Sequence, residues 1–435
     1  RLGISKMLFT EKLTNWWYNP DDVYLSLYSK LETSFYFDRS QNLEPYSIIG
    51  SGETFSFSNF SELELNPSED NLELPFSFRP GYVLALNYEM GLAQMGIGDG
   101  GESFGIRVDR AMVFGHQEKA CWLLGDFPSQ QDFDNWKHSV FLRIALTGGE
   151  SLMLTGDIQT SLSALSSEAD YLQSVFDCQM QIRKGESYQL CLTTQLRGQL
   201  DADPINVFYK LKKRHPSPFA SLINFGSTQH VSISPELFFK SNKSEMKSSP
   251  IKGTRPRSLD KDEDLEISKE LLANDKELAE NLMIVDLVRN DFTRISEIDS
   301  VVTEKLFELQ SFSSVHQLVS TVKARLATGQ STITAIASLF PAGSMTGAPK
   351  HSAVSFLASR ESSPRGLYSG AFGWIANNGD SELAMTIRSL IQTDNHFSIG
   401  VGGGITWGSD PKREYLEMQL KAKALVEAIG GSVTW

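Results

Sequence analysis

The chain has 435 residues, with 40 Lys and Arg against 53 Asp and Glu, a formal net charge of −13. That balance argues against nucleic acid or an anionic membrane as the main partner, and a 40% hydrophobic content is enough for a large core holding two or three domains' worth of structure. Cys121, Cys178 and Cys191 form no C-x-x-C pair, which disfavours a disulfide framework and a zinc cluster and fits a reducing, cytoplasmic setting. No apolar run approaches the roughly twenty residues of a membrane span, and the first residues show no secretory hydrophobic core.

Residues 1 to about 125 read as short strands and turns, with strands at 34–37, 46–50 and 81–88. The polar stretch from Asp126 to Asp157 is broken by one apolar run, 139–146, expected as a strand leading into the second half. The expected division is an accessory region over 1–150, mostly β, and a second region over 166–429. From Ser166 the period turns helical, with Tyr171, Val175, Met180 and Ile182 near one face before Lys184-Gly185. Runs 219–225 and 230–234 form an expected hairpin, and 370–376, 382–391 and 397–402 are strand runs separated by tight turns, which force antiparallel neighbours. Helices are expected at about 259–273, 275–290, 314–325, 347–360 and 411–429. The fold class is therefore α+β, antiparallel β-sheets sandwiched between helices, and a Rossmann or barrel plan is disfavoured.

Pro250-Ile251-Lys252-Gly253-Thr254 puts an aliphatic amine on a turn bounded by Pro and Gly, sixteen residues after Ser234-Pro235-Glu236. A lysine attacks carbon only as the free amine, and an ordinary pKa of roughly 10.4 leaves little of it at neutral pH unless burial or nearby cations disfavour the charge. Lys252 is the candidate nucleophile; a solvated surface charge is the alternative. Two expected helices present acids at i and i+3, Glu277 with Glu280 and Glu414 with Glu417. That spacing puts each pair on one face, where Mg2+ finds oxygen ligands from two helices at once. Solvated faces are the alternative, opposed for Glu280 by the apolar run 282–288, which reads as a helix buried around most of its circumference.

Gly343 to Lys350 opens the expected 347–360 helix with Pro near its first turn. Such a start is a carboxylate or phosphate site or merely a cap, and its spacing departs from a Walker loop. Gly400 to Gly404 supplies further N–H donors, and Arg388 and Tyr368, read as strand residues, offer a fork and a hydroxyl to an anion. His316, read near the start of the 314–325 helix, is left open between a packing residue and an acid or base.

Together, Gly185 to Gln189, Ser232 to Glu236, Pro250 to Arg257, Ala279 to Asp291, Gly343 to Lys350 and Ser409 to Glu417 resemble the chorismate-utilising enzymes, and within them the aminodeoxychorismate synthase branch. These strings cover roughly 166–429 in order; Glu44 to Gly50 resembles the family's accessory region more faintly. The related anthranilate synthases usually hold Ala where Lys252 stands and Ser where Thr346 stands, and isochorismate synthases place a water-activating Lys where Gln189 stands. The resemblance implies chorismate as substrate, with Mg2+ held by Glu280 and Glu417 and supported by Glu277 and Glu414 against the ring carboxylate. The Thr346, Gly347 and Ala348 segment completes that clamp, while Tyr368, Arg388 and Gly402, Gly403 and Gly404 hold the enolpyruvyl carboxylate. Glu236 protonates the departing C4 hydroxyl and Lys252 attacks C2, with Thr254 and His316 completing the catalytic candidates and 4-amino-4-deoxychorismate as product. No glutaminase arrangement surrounds the cysteines, so ammonia is expected from a separate glutamine amidotransferase subunit. An N-terminal tryptophan pocket is expected around Thr33, Tyr46 and Ser47. Anthranilate synthase component I, or a non-catalytic chorismate- or tryptophan-binding subunit, are the alternatives.

Overall fold

The computed structural model describes residues 7–14, 16–65, 72–147, 160–199, 203–312 and 315–435. Residues 148–159, where most of the expected junction between the two regions falls, and Ser314 lie outside them. Every strand pairing among the described residues is antiparallel except Thr160–Ala164 with Gly431–Thr434. The hairpin of Phe219–Phe225 and Thr228–Ser234 forms as expected, and Ser389–Thr393 and His396–Ile405 continue the ladder to Gln189–Gln199.

Two ladders tie the N-terminal strands to the rest. Thr33–Asp38 lies between Tyr46–Phe57 and Phe219–Phe225, and Gly81–Leu86 lies between Ser103–Gly115 and Ala371–Ala376. Helices cover the sheet. Glu168–Arg183 and Pro411–Ala428 pack on Gln189–Gln199 and His396–Ile405, while Asp275–Thr293 lies over Ile251–Pro256 and Val315–Arg325. Strands covered in this way lose alternation: Leu190, Cys191 and Leu192 are all buried in succession. Among the described residues, no helix is long and apolar enough to cross a membrane.

Caps fix where the two acidic helices begin. Asn274 Oδ1 accepts from Glu277 N at 3.2 Å, and Asp410 Oδ1 accepts from Arg413 N at 2.9 Å with Pro411 in the first turn. The acids thus sit in or just after each first turn.

Several expectations fail, each for a local reason. Residues 139–146 are not a strand but part of the helix Gln130–Thr147, because Phe133, Trp136, Val140 and Ile144 recur at helical spacing and are all buried. Residues 315–325 are not a helix but a strand, Val315–Arg325, rich in β-branched residues and paired on both edges. The 347–360 helix begins only at Lys350, since Gly347–Ala348 pair with Leu190 and Gln189 and Pro349 forms the cap. Run 382–391 is broken into Ser381–Met385 and Ser389–Thr393 around Arg388, whose φ is 48°. Strand Gly81–Leu86 stops early because Asn87 caps the helix Tyr88–Gln94. The helix Asp275–Thr293 is amphipathic rather than buried all round: Asn281, Ile284, Val285 and Val288 face inward, whereas Leu282 and Asp286 are exposed.

Candidate active site

Lys252 owes its direction to a β-bulge, not to the turn expected from sequence. Ile251 pairs with Val319 and Thr254 with Gln317, and the register slips between them, so Lys252 and Gly253 lack one-to-one partners. Gly253 has φ 83°, and a Cβ there would stand 2.9 Å from Leu271 Cδ1, so the bulge needs glycine. Lys252 is half-buried. Its charge acts on carboxylates from three elements: Glu236, Glu280 and Glu417.

Glu236 follows the strand Thr228–Ser234 and is 7% exposed. Burial pushes its carboxyl up to about 7, against the opposing pull of the Lys252 charge and a hydrogen bond donated by Ser344. A carboxyl poised there is an acid at neutral pH. Its backbone carbonyl accepts from Met385 N at 3.0 Å, and Ile233 N donates to Arg388 O at 3.1 Å. The Arg388 turn is therefore laced to the segment that presents Glu236.

One acid from each helix approaches the same lysine. Lys276 Nζ lies 3.9 Å from Glu280 Oε1 and 3.7 Å from Glu414 Oε1. Burial raises the Glu280 pKa, the Lys252 and Lys276 charges oppose the rise, and repulsion from Glu277 and Glu414 adds to it. Against partial burial, Lys421 at 2.9 Å, with Lys276 and Lys252 beyond it, holds Glu417 below its ordinary range. Glu414 accepts from Ser409 Oγ at 2.6 Å, and Glu277 pairs with Arg255 at 3.2 Å. Among the described residues, no three His, Cys, Asp or Glu side chains close on one point at ligand distance. The donor chemistry nevertheless fits Mg2+: these are hard carboxylate oxygens, two of them already gathered around a cation, and their mutual repulsion is relieved by positive charge.

At the opposite wall, Gly402, Gly403 and Gly404 pair with Thr193, Leu192 and Cys191. The Tyr368 ring lies so close to the same strand that a Cβ on Gly400 would stand 2.0 Å from its Cγ. Gly403 faces the acids, since a Cβ there would be 3.4 Å from Glu414 Oε2 and 3.6 Å from Lys421 Nζ. Thr346 is fully buried and accepts at its carbonyl from Cys191 N at 2.8 Å. Gly347 has φ 150°, and a Cβ would meet Gln189 O at 2.3 Å. Neither Tyr368 nor Arg388 is a strand residue: the first lies in a turn, the second in the break between two strands. Turn geometry lets both side chains escape the ladder. Arg388 is exposed as a residue, although surrounding protein partly desolvates its guanidinium and lowers its pKa, and that guanidinium has no hydrogen bond or ion pair among the described residues.

His316 stands apart from these groups. It is on a strand, with Nδ1 2.7 Å from Ser311 Oγ and Nε2 2.9 Å from Asp264 Oδ1, so both ring nitrogens are taken. Arg257 holds Asp264 well below the usual carboxylate range. Thr254 Oγ1 accepts from Gln317 Nε2 at 3.4 Å. In the N-terminal region, Ser47 is fully buried among Arg39 N, Asp38 and His116, and the Tyr46 hydroxyl donates to Glu118. The Thr33 carbonyl accepts from Ser51 Oγ at 2.8 Å.

Sequence reasoning missed Ser344, Lys276, Ser409 and Lys421. Lys276 was legible in principle, four residues before Glu280 on the same helix face. Ser344 was not, because nothing local says that a loop serine meets a glutamate more than a hundred residues earlier.

A buried acid, an amine and two carboxylate-bearing helices are brought into electrostatic reach of one another on an α+β frame. Residues 29–427 match the model of the chorismate binding enzymes. The aminodeoxychorismate synthase of Streptomyces griseus is 35% identical over 375 residues, which cover 82% of this chain and 51% of that protein. Anthranilate synthase component 1 of Methanothermobacter thermautotrophicus is 31% identical over 438 residues, covering 94% and 92%. Anthranilate synthase component I from Streptococcus pneumoniae superposes with a TM-score of 0.75 at 25% identity, over 96% of this chain and 92% of that one. The chain belongs to the family of chorismate binding enzymes. It spans about half the length of the aminodeoxychorismate synthase it matches.

Proposed function

We propose that this chain aminates chorismate at C4 to give 4-amino-4-deoxychorismate, through a covalent intermediate on Lys252. The observation that supports this reading is that the charge of Lys252, carried on a bulged strand, acts on Glu236, Glu280 and Glu417 at once. Glu280 and Glu417, with Glu277 and Glu414 behind them, are the residues to hold Mg2+, which supplies positive charge to the ring carboxylate. The unpaired fork of Arg388 and the Tyr368 hydroxyl take the enolpyruvyl carboxylate, which fixes the ring against the amine.

Glu236 then gives its proton to the C4 hydroxyl, which leaves as water while the Lys252 nitrogen bonds to C2 and both ring double bonds shift one position, to return when ammonia adds. Ammonia adds at C4, the bond from C2 to Lys252 breaks with its electron pair returning to the amine, and the surplus proton restores Glu236. A glutamine amidotransferase, on the same or another polypeptide, supplies ammonia in the cell, and an ammonium salt replaces it in vitro.

Anthranilate formation is the competing reading, favoured by the end-to-end match to an anthranilate synthase component 1. Product identification separates the two. Chorismate, Mg2+ and ammonium should yield 4-amino-4-deoxychorismate, seen as 4-aminobenzoate only after a lyase is added. Direct appearance of fluorescent anthranilate would overturn the proposal. Lys252→Ala should lower output of the C4 amine by at least about 100-fold or redirect nitrogen to C2.

A further inference from the structure

We propose that Arg365 is a positioning residue whose guanidinium fastens three separate substrate-facing segments into one rigid cradle. This rests on the reading that Thr346, Tyr368 and the Gly402 to Gly404 strand hold the carboxylates of chorismate. Arg365 is 4% exposed and follows the helix Lys350–Arg360 in an irregular stretch. All five of its side-chain donors are used. Nη1 donates to Met345 O at 2.7 Å and to Ser369 Oγ at 3.3 Å; Nη2 donates to Cys191 O at 2.8 Å and to Glu361 Oε1 at 2.7 Å; Nε donates to Glu361 Oε2 at 2.8 Å.

Each acceptor is adjacent to a proposed substrate contact. Met345 precedes Thr346, Ser369 follows Tyr368, and Cys191 is the ladder partner of Gly404. Glu361 extends the grip, because its Oε1 also accepts from Thr193 N and Thr193 Oγ1 at 2.9 Å, and Thr193 is the ladder partner of Gly402. The guanidinium also lies 4.3 Å from the centre of the Tyr88 ring, and the backbone N–H groups of Arg365 and Gly366 donate to Glu89. A planar fork fixes angles that a lysine ammonium or an apolar side chain leaves loose, and burying such a charge is costly unless every donor is met. Arg365 spends that fork on backbone and neighbouring side chains, so its effect on substrate passes through them.

The test uses the full chain carrying Arg365→Lys and, separately, Glu361→Gln. KM for chorismate and for ammonium, kcat, chorismate affinity by calorimetry and Tm are measured for each. A positioning role predicts that folded Arg365→Lys raises the chorismate KM and Kd by about tenfold or more while the ammonium KM stays within about twofold. Glu361→Gln should shift chorismate in the same direction by less. A structural role alone would lower kcat in proportion to the unfolded fraction and leave both KM values unchanged, and that result overturns the proposal. If Arg365→Lys does not fold, an unchanged chorismate Kd in folded Glu361→Gln overturns it equally. Wild-type protein that binds chorismate without aminating it would sink the amination reading while the Kd comparison still decides this one; wild-type protein that does not bind chorismate sinks both.

Discussion

Glu236, the proposed acid, has a pKa that also makes the stability of the fold depend on pH. Its ordinary carboxyl pKa of 4.5 is raised to about 7 by burial, so the folded chain binds this proton more tightly than the unfolded chain does. The resulting stabilisation is complete below about pH 4 and is lost as pH rises through 7. Glu236→Gln, neutral at every pH, should therefore gain on wild type by on the order of 2 kcal/mol between pH 5 and pH 8 in urea titrations. It should also lose roughly 100-fold or more in kcat, because the amide has no acidic proton to give. A difference in stability that does not change with pH would mean that Glu236 is solvated and no acid. In wild type, kcat should decline as pH rises from 7 to 9.

At the level of elements, the two helices and the bulged strand act as a set. Glu280→Ala should abolish the Mg2+ dependence of chorismate binding in calorimetry with and without the metal; a dependence of unchanged size would place the ion elsewhere. Gly347→Ala should cost at least about 2 kcal/mol, because the new Cβ meets Gln189 O and φ 150° is unfavourable for it. A wild-type urea midpoint would show that the short Gly347–Ala348 strand yields easily. Much at this scale was legible in sequence: i, i+3 acids fell on the helices expected at 275–290 and 411–429, and short polar turns marked the hairpins. What was not legible depends on partners distant in the chain. The run 315–325 is a strand because neighbours on both edges pair with it, and Lys252 lies in a bulge that periodicity does not reveal. His316 looked like a helical residue for the same reason, and its partners Ser311 and Asp264 come from two different elements.

Across the fold, the N-terminal strands share ladders with strands of the region that holds the candidate site residues. Arg39 at the end of Thr33–Asp38 donates to Glu382 on Ser381–Met385 at 2.7 Å, with both side chains buried. Among the described residues, Arg39→Ala would leave Glu382 with Lys240 at 3.7 Å and the more distant charge of Lys247, and should cost about 3 kcal/mol in equilibrium unfolding; a loss below about 1 kcal/mol would mean that water reaches this pair. The strand that holds Glu382 also ends at Met385, whose N–H donates to the Glu236 carbonyl at 3.0 Å. Intact-mass analysis of the chain incubated with chorismate and Mg2+ but no ammonia, followed by peptide mapping, tests the covalent step most directly. An adduct of chorismate less one water on Lys252, absent from Lys252→Ala, is the predicted result. Unmodified Lys252 in protein that goes on to form 4-amino-4-deoxychorismate when ammonium is added, with equal output from Lys252→Ala, would contradict it.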